Sequence, residues 1–144
     1  MSIRFHSEHP TYRLKEILKH RRWINRVINL YGKTPGEIDI IFTTNEFLLN
    51  INKEYLNHPY FTDVITFDYT MNDIISGEIY ISRDQVKRNA KEYNSGIQEE
   101  TRRVMIHGIL HLSGFADGTQ TEKKEMRKQE DEALALWNKF EDNR

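Results

Sequence analysis

The character of the chain changes at Ser82, and this constrains the fold more than any other feature. Before it, β-rich segments alternate with helical ones; after it, every segment reads as helix, over about 83–94, 97–113 and 120–140. Upstream, Glu37–Phe42 alternates Ile38, Ile40 and Phe42 with residues of the opposite face, which is the two-residue period of a strand. Asp63–Tyr69 and Ile75–Ser82 are β-rich and flank a polar Met-Asn-Asp stretch, so they predict a hairpin, and Ile3–Phe5 supplies a candidate edge strand. A first helix over about Tyr12–Tyr31 carries the stripe Leu14, Ile17, Leu18, Ile24, Val27 and Ile28, with Gly32 placed to end it. A short helix follows over about Asn45–Leu56. Helix starts are marked by Ser or Thr followed three residues later by Glu or Gln, at Thr43/Glu46, Ser82/Gln85, Ser95/Gln98 and Thr119/Glu122. In each pair the hydroxyl can accept from a free N–H of the first turn while the longer side chain reaches back. The expectation is a single α+β domain over residues 1–144, with helices packed on a small mixed four-stranded sheet.

Composition narrows the chemistry. The chain has no cysteine, which excludes thiol nucleophiles, cysteine-ligated clusters and disulfide scaffolds, and agrees with a reducing compartment. The N-terminus lacks the apolar core of a secretion signal, and no apolar run approaches the ~18 residues of a membrane span. The expectation is a soluble, cytoplasmic protein with no membrane partner. The net charge of −1 hides an asymmetry, because residues 1–33 carry eight Lys/Arg against Glu8 and Glu16. Arg13, Arg21, Arg22 and Arg26 of the first helix form a candidate RNA-binding surface; a solvated helix face is the alternative.

The chemistry concentrates in His107-Gly-Ile-Leu-His111-Leu-Ser-Gly114-Phe-Ala-Asp117. Histidines four apart lie on one helical face, so both imidazoles can converge on one ion. Gly114 can take the left-handed conformation that ends a helix, and Asp117 can then return as a third ligand. Three protein ligands leave a coordination position open, as catalytic zinc sites do. The expected ion is zinc, one per chain, with manganese as the alternative. The spacing also matches the zinc-peptidase helix apart from one residue: Gly108 stands where those enzymes carry their general-base Glu. Asp63 fits either a carboxylate holding the second nitrogen of a ligand histidine or a turn residue at a strand start. Trp23, Trp137 and Phe140 read as core, and His6, His9 and His20 show no partner pattern.

Around these residues the chain resembles the YbeY family, bacterial metal-dependent endoribonucleases of ribosomal RNA maturation and ribosome quality control. His107-Gly108-Ile109-Leu110-His111-Leu112-Ser113-Gly114-Phe115 is similar to the family's His-Gly-x-Leu-His-Leu-x-Gly-aromatic stretch. Thr62-Asp63-Val64-Ile65-Thr66-Phe67 resembles its Thr-Asp-Val-Leu-Ser-Phe strand and Gly77-Glu78-Ile79 its Gly-Asp-Ile strand. Glu122, Met126 and Glu130 stand where its last helix has Glu, Met and Glu. The resemblance runs over roughly 37–134 and implies a hydrolase cleaving single-stranded ribosomal RNA. Its implied partners are ribosomal RNA, the small ribosomal subunit, an assembly GTPase and a small-subunit protein.

Two departures stand out. Asp117 occupies the position of the family's third histidine, so the metal site becomes two imidazoles and a carboxylate. The family's arginine in an Asn-x-x-Tyr-Arg context is here Leu56, in Asn52-Lys53-Glu54-Tyr55-Leu56. Lys53 and His58 are the nearest candidate catalytic replacements. The missing arginine favours a rival reading, a non-catalytic ribosome-assembly factor with a structural metal. A zinc peptidase is a third reading, opposed by Gly108.

Overall fold

Residues 2–57 and 61–140 are described by the structure, a computed structural model. In chain order they form β1 (Ser2–Ser7), α1 (Ile17–Leu30), β2 (Thr34–Thr43), α2 (Asn45–Leu56), β3 (Val64–Asp68), β4 (Ile74–Ser82), α3 (Arg83–Glu92), α4 (Ile97–Leu112) and α5 (Gln120–Lys139). The strands make one mixed sheet in the order β1-β2-β4-β3. β1 and β4 flank β2 in parallel, and β3 returns antiparallel on β4 as the expected hairpin. Ile3–Phe5 lies within β1, with Ile3 opposite Ile38.

The alternation of the strands sorts the two sheet faces. Ile3, Ile38, Ile40, Phe42, Ile75, Ile79 and Ile81 are buried on one side. Against them pack Trp23, Ile24 and Ile28 of α1, Met105 and Ile109 of α4, and Met126 and Trp137 of α5. Fully burying one such side chain is worth about 1.5–3 kcal/mol, so this three-helix layer is the main source of cohesion. The other face is polar at the β1–β2 edge, where Arg4 holds Asp39 and Glu37. Nearer β3 it is covered by α2, whose Phe47 stacks on Tyr80. Trp23 and Trp137 are core as expected, with rings 5.4 Å apart, whereas Phe140 is only half-buried.

Three local expectations fail where tertiary contacts intervene. The first helix begins at Ile17, not near Tyr12, after Glu16 at φ +55° with no side-chain cap. The Ser7 hydroxyl takes the Tyr12 carbonyl out of any helical ladder, and the Tyr12 ring packs edge-on against Phe42 at 5.1 Å. Thr44, not Thr43, caps α2 by accepting from Phe47 N. Thr43 is fully buried, and its hydroxyl donates to Ile81 O at 3.1 Å. Gly96, not Ser95, caps α4, and Ser95 Oγ is buried without a partner among the described residues. The other two boundaries follow the sequence: Ser82 accepts from Gln85 N, and Thr119 with Glu122 forms the full reciprocal box.

α4 reaches the sheet because two facing positions lack side chains. A Cβ on Gly108 would sit 2.7 Å from Ile79 Cγ2. A Cβ on Gly77 would overlap the Phe67 carbonyl oxygen and lie 3.0 Å from Leu112 Cδ2. Gly77→Ala must therefore separate β4 from β3 or lift the end of α4, at the roughly 1–3 kcal/mol typical of overpacking. Urea denaturation should show a lowered midpoint; a wild-type midpoint would mean that this close approach is not needed.

Candidate metal centre

The last turn of α4 builds the site. Gly114 takes φ +107°, and its N–H donates to His111 O while Phe115 N–H donates to Leu110 O, the paired bonds of a left-handed helix cap. Lys33 donates to Ser113 O at 2.9 Å, placing a cation at the negative end of the helix. Phe115 packs on Tyr31 with ring centroids 5.1 Å apart. The turn so anchored returns Asp117 to the histidine face.

There three ligand atoms converge. His107 Nε2 and His111 Nε2 are 3.0 Å apart, and Asp117 Oδ2 lies 3.2 Å and 3.3 Å from them. Ligand atoms around a tetrahedral ion with bonds of ~2.0–2.1 Å are about 3.3–3.4 Å apart, so the triangle fits an ion of that size. The group could hold a metal. The side chains are 23%, 27% and 41% exposed, which leaves the triangle open to solvent on one side.

Hydrogen bonds behind the rings set which nitrogen is free. His111 Nδ1 lies 3.0 Å from the Phe115 carbonyl, which can only accept, so Nδ1 carries the proton and Nε2 the lone pair. His107 Nδ1 is 2.6 Å from Glu130 Oε2, which sets the same tautomer in the neutral ring. Glu130 is 7% exposed and is gripped on its other oxygen by Arg103 Nη1 at 2.9 Å, while Arg103 Nη2 reaches Asp131 at 2.8 Å. Two lone pairs and a carboxylate oxygen thus face one another, an arrangement that a cation stabilises. Burial alone would push the His107 pKa down. The hydrogen bond and charge of Glu130, with Asp117 and Asp63 behind them, prevail and raise it.

The structure brings His107, His111 and Asp117 together and leaves the other site candidates apart. Lys53 is exposed on α2, and among the described residues no hydrogen bond or ion pair joins it to the triad. His58 lies outside the described residues. Arg13 is not on the first helix but in the segment before it. Arg21 Nε donates to Ile3 O, tying α1 to the edge strand, while Arg22 and Arg26 are exposed. Asp63 accepts from Asn89 Nδ2 at 3.0 Å and, among the described residues, bonds no histidine nitrogen; Glu130, on α5, takes that role for His107. Its only signal in the sequence was its place in the family-like Glu-Met-Glu pattern. His6 and His9 each pair with a carboxylate, Asp39 and Asp84, across elements that spacing alone does not connect.

A family model described as Endoribonuclease YbeY matches residues 4–138. The chain belongs to the YbeY family. Relatives of this YbeY chain include a Christiangramia forsetii protein named Endoribonuclease YbeY, 43% identical over 136 residues and covering 94% of each chain. One of the same name from Flavobacterium psychrophilum is 42% identical over 127 residues, 88% of this chain and 91% of the relative. A Thermotoga maritima protein solved in solution shares the fold with a TM-score of 0.67 at 25% identity, covering 96% of this chain and 93% of that one.

Loss of an outer partner that orients a metal-binding histidine lowers metal affinity about 10–100-fold. Glu130→Ala should show a loss of that size in zinc or manganese titrations against a chelating dye, with helical content checked by circular dichroism. Wild-type affinity in a folded variant would remove Glu130 from the centre.

Proposed function

We propose that this YbeY-family chain is a metal-dependent endoribonuclease that cleaves single-stranded ribosomal RNA during rRNA maturation and ribosome quality control. The observation that carries this is the open triangle of His107, His111 and Asp117 in a chain whose relatives are named endoribonucleases. Zinc is the ion we assign, because two imidazoles and a carboxylate with one open position are a zinc-hydrolase set; manganese tolerates the same ligands. Such an ion supplies Lewis-acid chemistry, drawing charge from a phosphoryl oxygen and acidifying water.

The chain's own residues do the rest. Phe115 O and Glu130 hold the two imidazoles with Nε2 toward the site, and Arg103 fixes Glu130 in place. Asp117 adds negative charge and tempers the acidity of the centre relative to three imidazoles. Arg21, Arg22 and Arg26 on α1 and Arg13 before it attract the RNA backbone through charge, without reading sequence. Lys53 on the exposed side of α2 is the assigned substitute for the phosphate contact that Leu56 cannot make. The small ribosomal subunit in the cytoplasm, with an assembly GTPase and a small-subunit protein, is the setting in this reading.

Gly108 disfavours the peptidase alternative on structural grounds. Its Cβ position faces Ile79 in the core, so a general-base Glu there would have no room and no path to the triad. The non-catalytic assembly factor draws support from Leu56, and the same experiment decides it. Wild-type protein should cleave ribosomal RNA, stop with chelator and resume with added zinc or manganese. Asp117→Ala should lose more than the roughly 10–100-fold that an outer partner costs. RNA left intact by metal-loaded protein would favour the assembly factor, and chelator-resistant cleavage would sink the metal mechanism.

The arginine assignment has its own test. Arg22→Glu with Arg26→Glu should weaken RNA binding and flatten its salt dependence by about 0.7 per lost contact on a single strand. Unchanged slopes in filter binding over a salt series would return these residues to a solvated face.

A further inference from the structure

A groove of about 800 Å³ lies away from the triad, between the segment preceding α1 and the first turns of α4. Thr101 on its wall and His107 are separated by about 9 Å of rise and roughly 120° of rotation around α4. The wall is cationic. Among the described residues, Arg13, Lys15, Arg83 and Arg102 line it against one carboxylate, Glu16.

Its two inner arginines are held by aromatic rings instead of acids. Arg83 lies with Cζ 3.9 Å from the Tyr12 ring centre and donates to Thr101 Oγ1 at 2.8 Å. Arg102 lies with Cζ 4.4 Å from the Trp137 ring centre, and its Nε is buried with no hydrogen-bond partner among the described residues. Neither is in an ion pair among the described residues. His20, only 3% exposed, completes the wall: Nδ1 donates to Glu16 O, and Nε2 is buried with no partner among the described residues. Burial holds both guanidinium pKa values below their ordinary range, outweighing the nearby charge of Asp84 on Arg83 and of Glu16 and Glu99 on Arg102. The start of α4 adds N–H groups, because its cap Gly96 has no side chain to satisfy them.

Partly desolvated guanidinium forks that face a cavity and are in no ion pair among the described residues are complementary to a planar or tetrahedral oxyanion. We infer that this groove is a second phosphate-binding site, distinct from the metal centre, and that it takes a backbone phosphate of the RNA strand. Phosphate follows from the groove itself; its assignment to RNA rests on the endoribonuclease reading. The groove is larger than one phosphate, and Arg13 and Lys15 continue the positive charge along its rim, as a strand passing through requires.

Amide and arginine Nε resonances of the full chain test this, with inorganic phosphate and separately with a 2′-O-methyl single-stranded RNA that cannot be cleaved. Both probes should shift Thr101, Arg102 and the Arg83 side chain. Arg83→Gln with Arg102→Gln should weaken both responses at least tenfold. Because loss of Arg102 can disturb Trp137, Lys15→Glu with Gln98→Glu provides a second variant: both positions are exposed, and Glu suits the first turn of α4. It should weaken both probes with unchanged metal content. Shifts with phosphate but not RNA would overturn the RNA assignment and leave a site for a free phosphate compound. No shifts with either probe, or equal shifts in the Lys15/Gln98 variant, would overturn the site altogether. Groove binding that persists in a protein unable to cleave ribosomal RNA would fail the endoribonuclease reading and not this one.

Discussion

The contact of α4 with the sheet is the interaction on which the rest depends. Gly108 over Ile79 and Leu112 over Gly77 let the helix lie closer to β4 than side chains at those positions would allow. Because the buried side of α4 is pinned at its C-terminal half, His107 and His111 on the other side are fixed in rotation as well as in height. A histidine pair on an unpacked helix would share a face without a fixed relation to anything else. Here the same packing that hides Ile109 and Met105 aims both imidazoles at the returning Asp117.

Polar order is built outward from that helix. Asp131, Arg103, Glu130 and His107 form one chain of charge-assisted contacts from the surface of α5 to the triad. Glu130 is almost wholly buried, with Arg103 on one oxygen and His107 on the other; removing either takes the close partner from one oxygen of a buried carboxylate. The interaction therefore serves two ends. It locks α5 onto α4, and it keeps the free nitrogen of His107 facing the site.

The reading of α1 shows how the same charge can serve different ends. Eight basic residues before Thr34 form one block in the sequence, but folding disperses them. Arg21 caps a strand carbonyl, Lys33 caps the C-terminus of α4, and Arg13 turns toward the groove at the other end of that helix. Arg22 and Arg26 lie, like Arg21, on the exposed side of the helix.

By itself the sequence determined the features that repeat along one element. The strand and helix periods, the β3–β4 hairpin, the Ser82 and Thr119 caps, the histidine pair four residues apart and the Gly114 turn all report neighbours within a few residues. Local sterics and local hydrogen bonds act at that range. Tertiary structure decided what depends on distance between elements. It started α1 at Ile17 and not near Tyr12, whose ring packs on Phe42, turned Thr43 inward to Ile81 and so passed the cap to Thr44, and chose Glu130 over Asp63 behind His107. It also gathered the start of α3, the first turns of α4 and the segment before α1 around one groove. Glu130 and His107 are 23 residues apart, and no period along the chain encodes their meeting; only the packing of α5 on α4 brings carboxylate and imidazole to 2.6 Å.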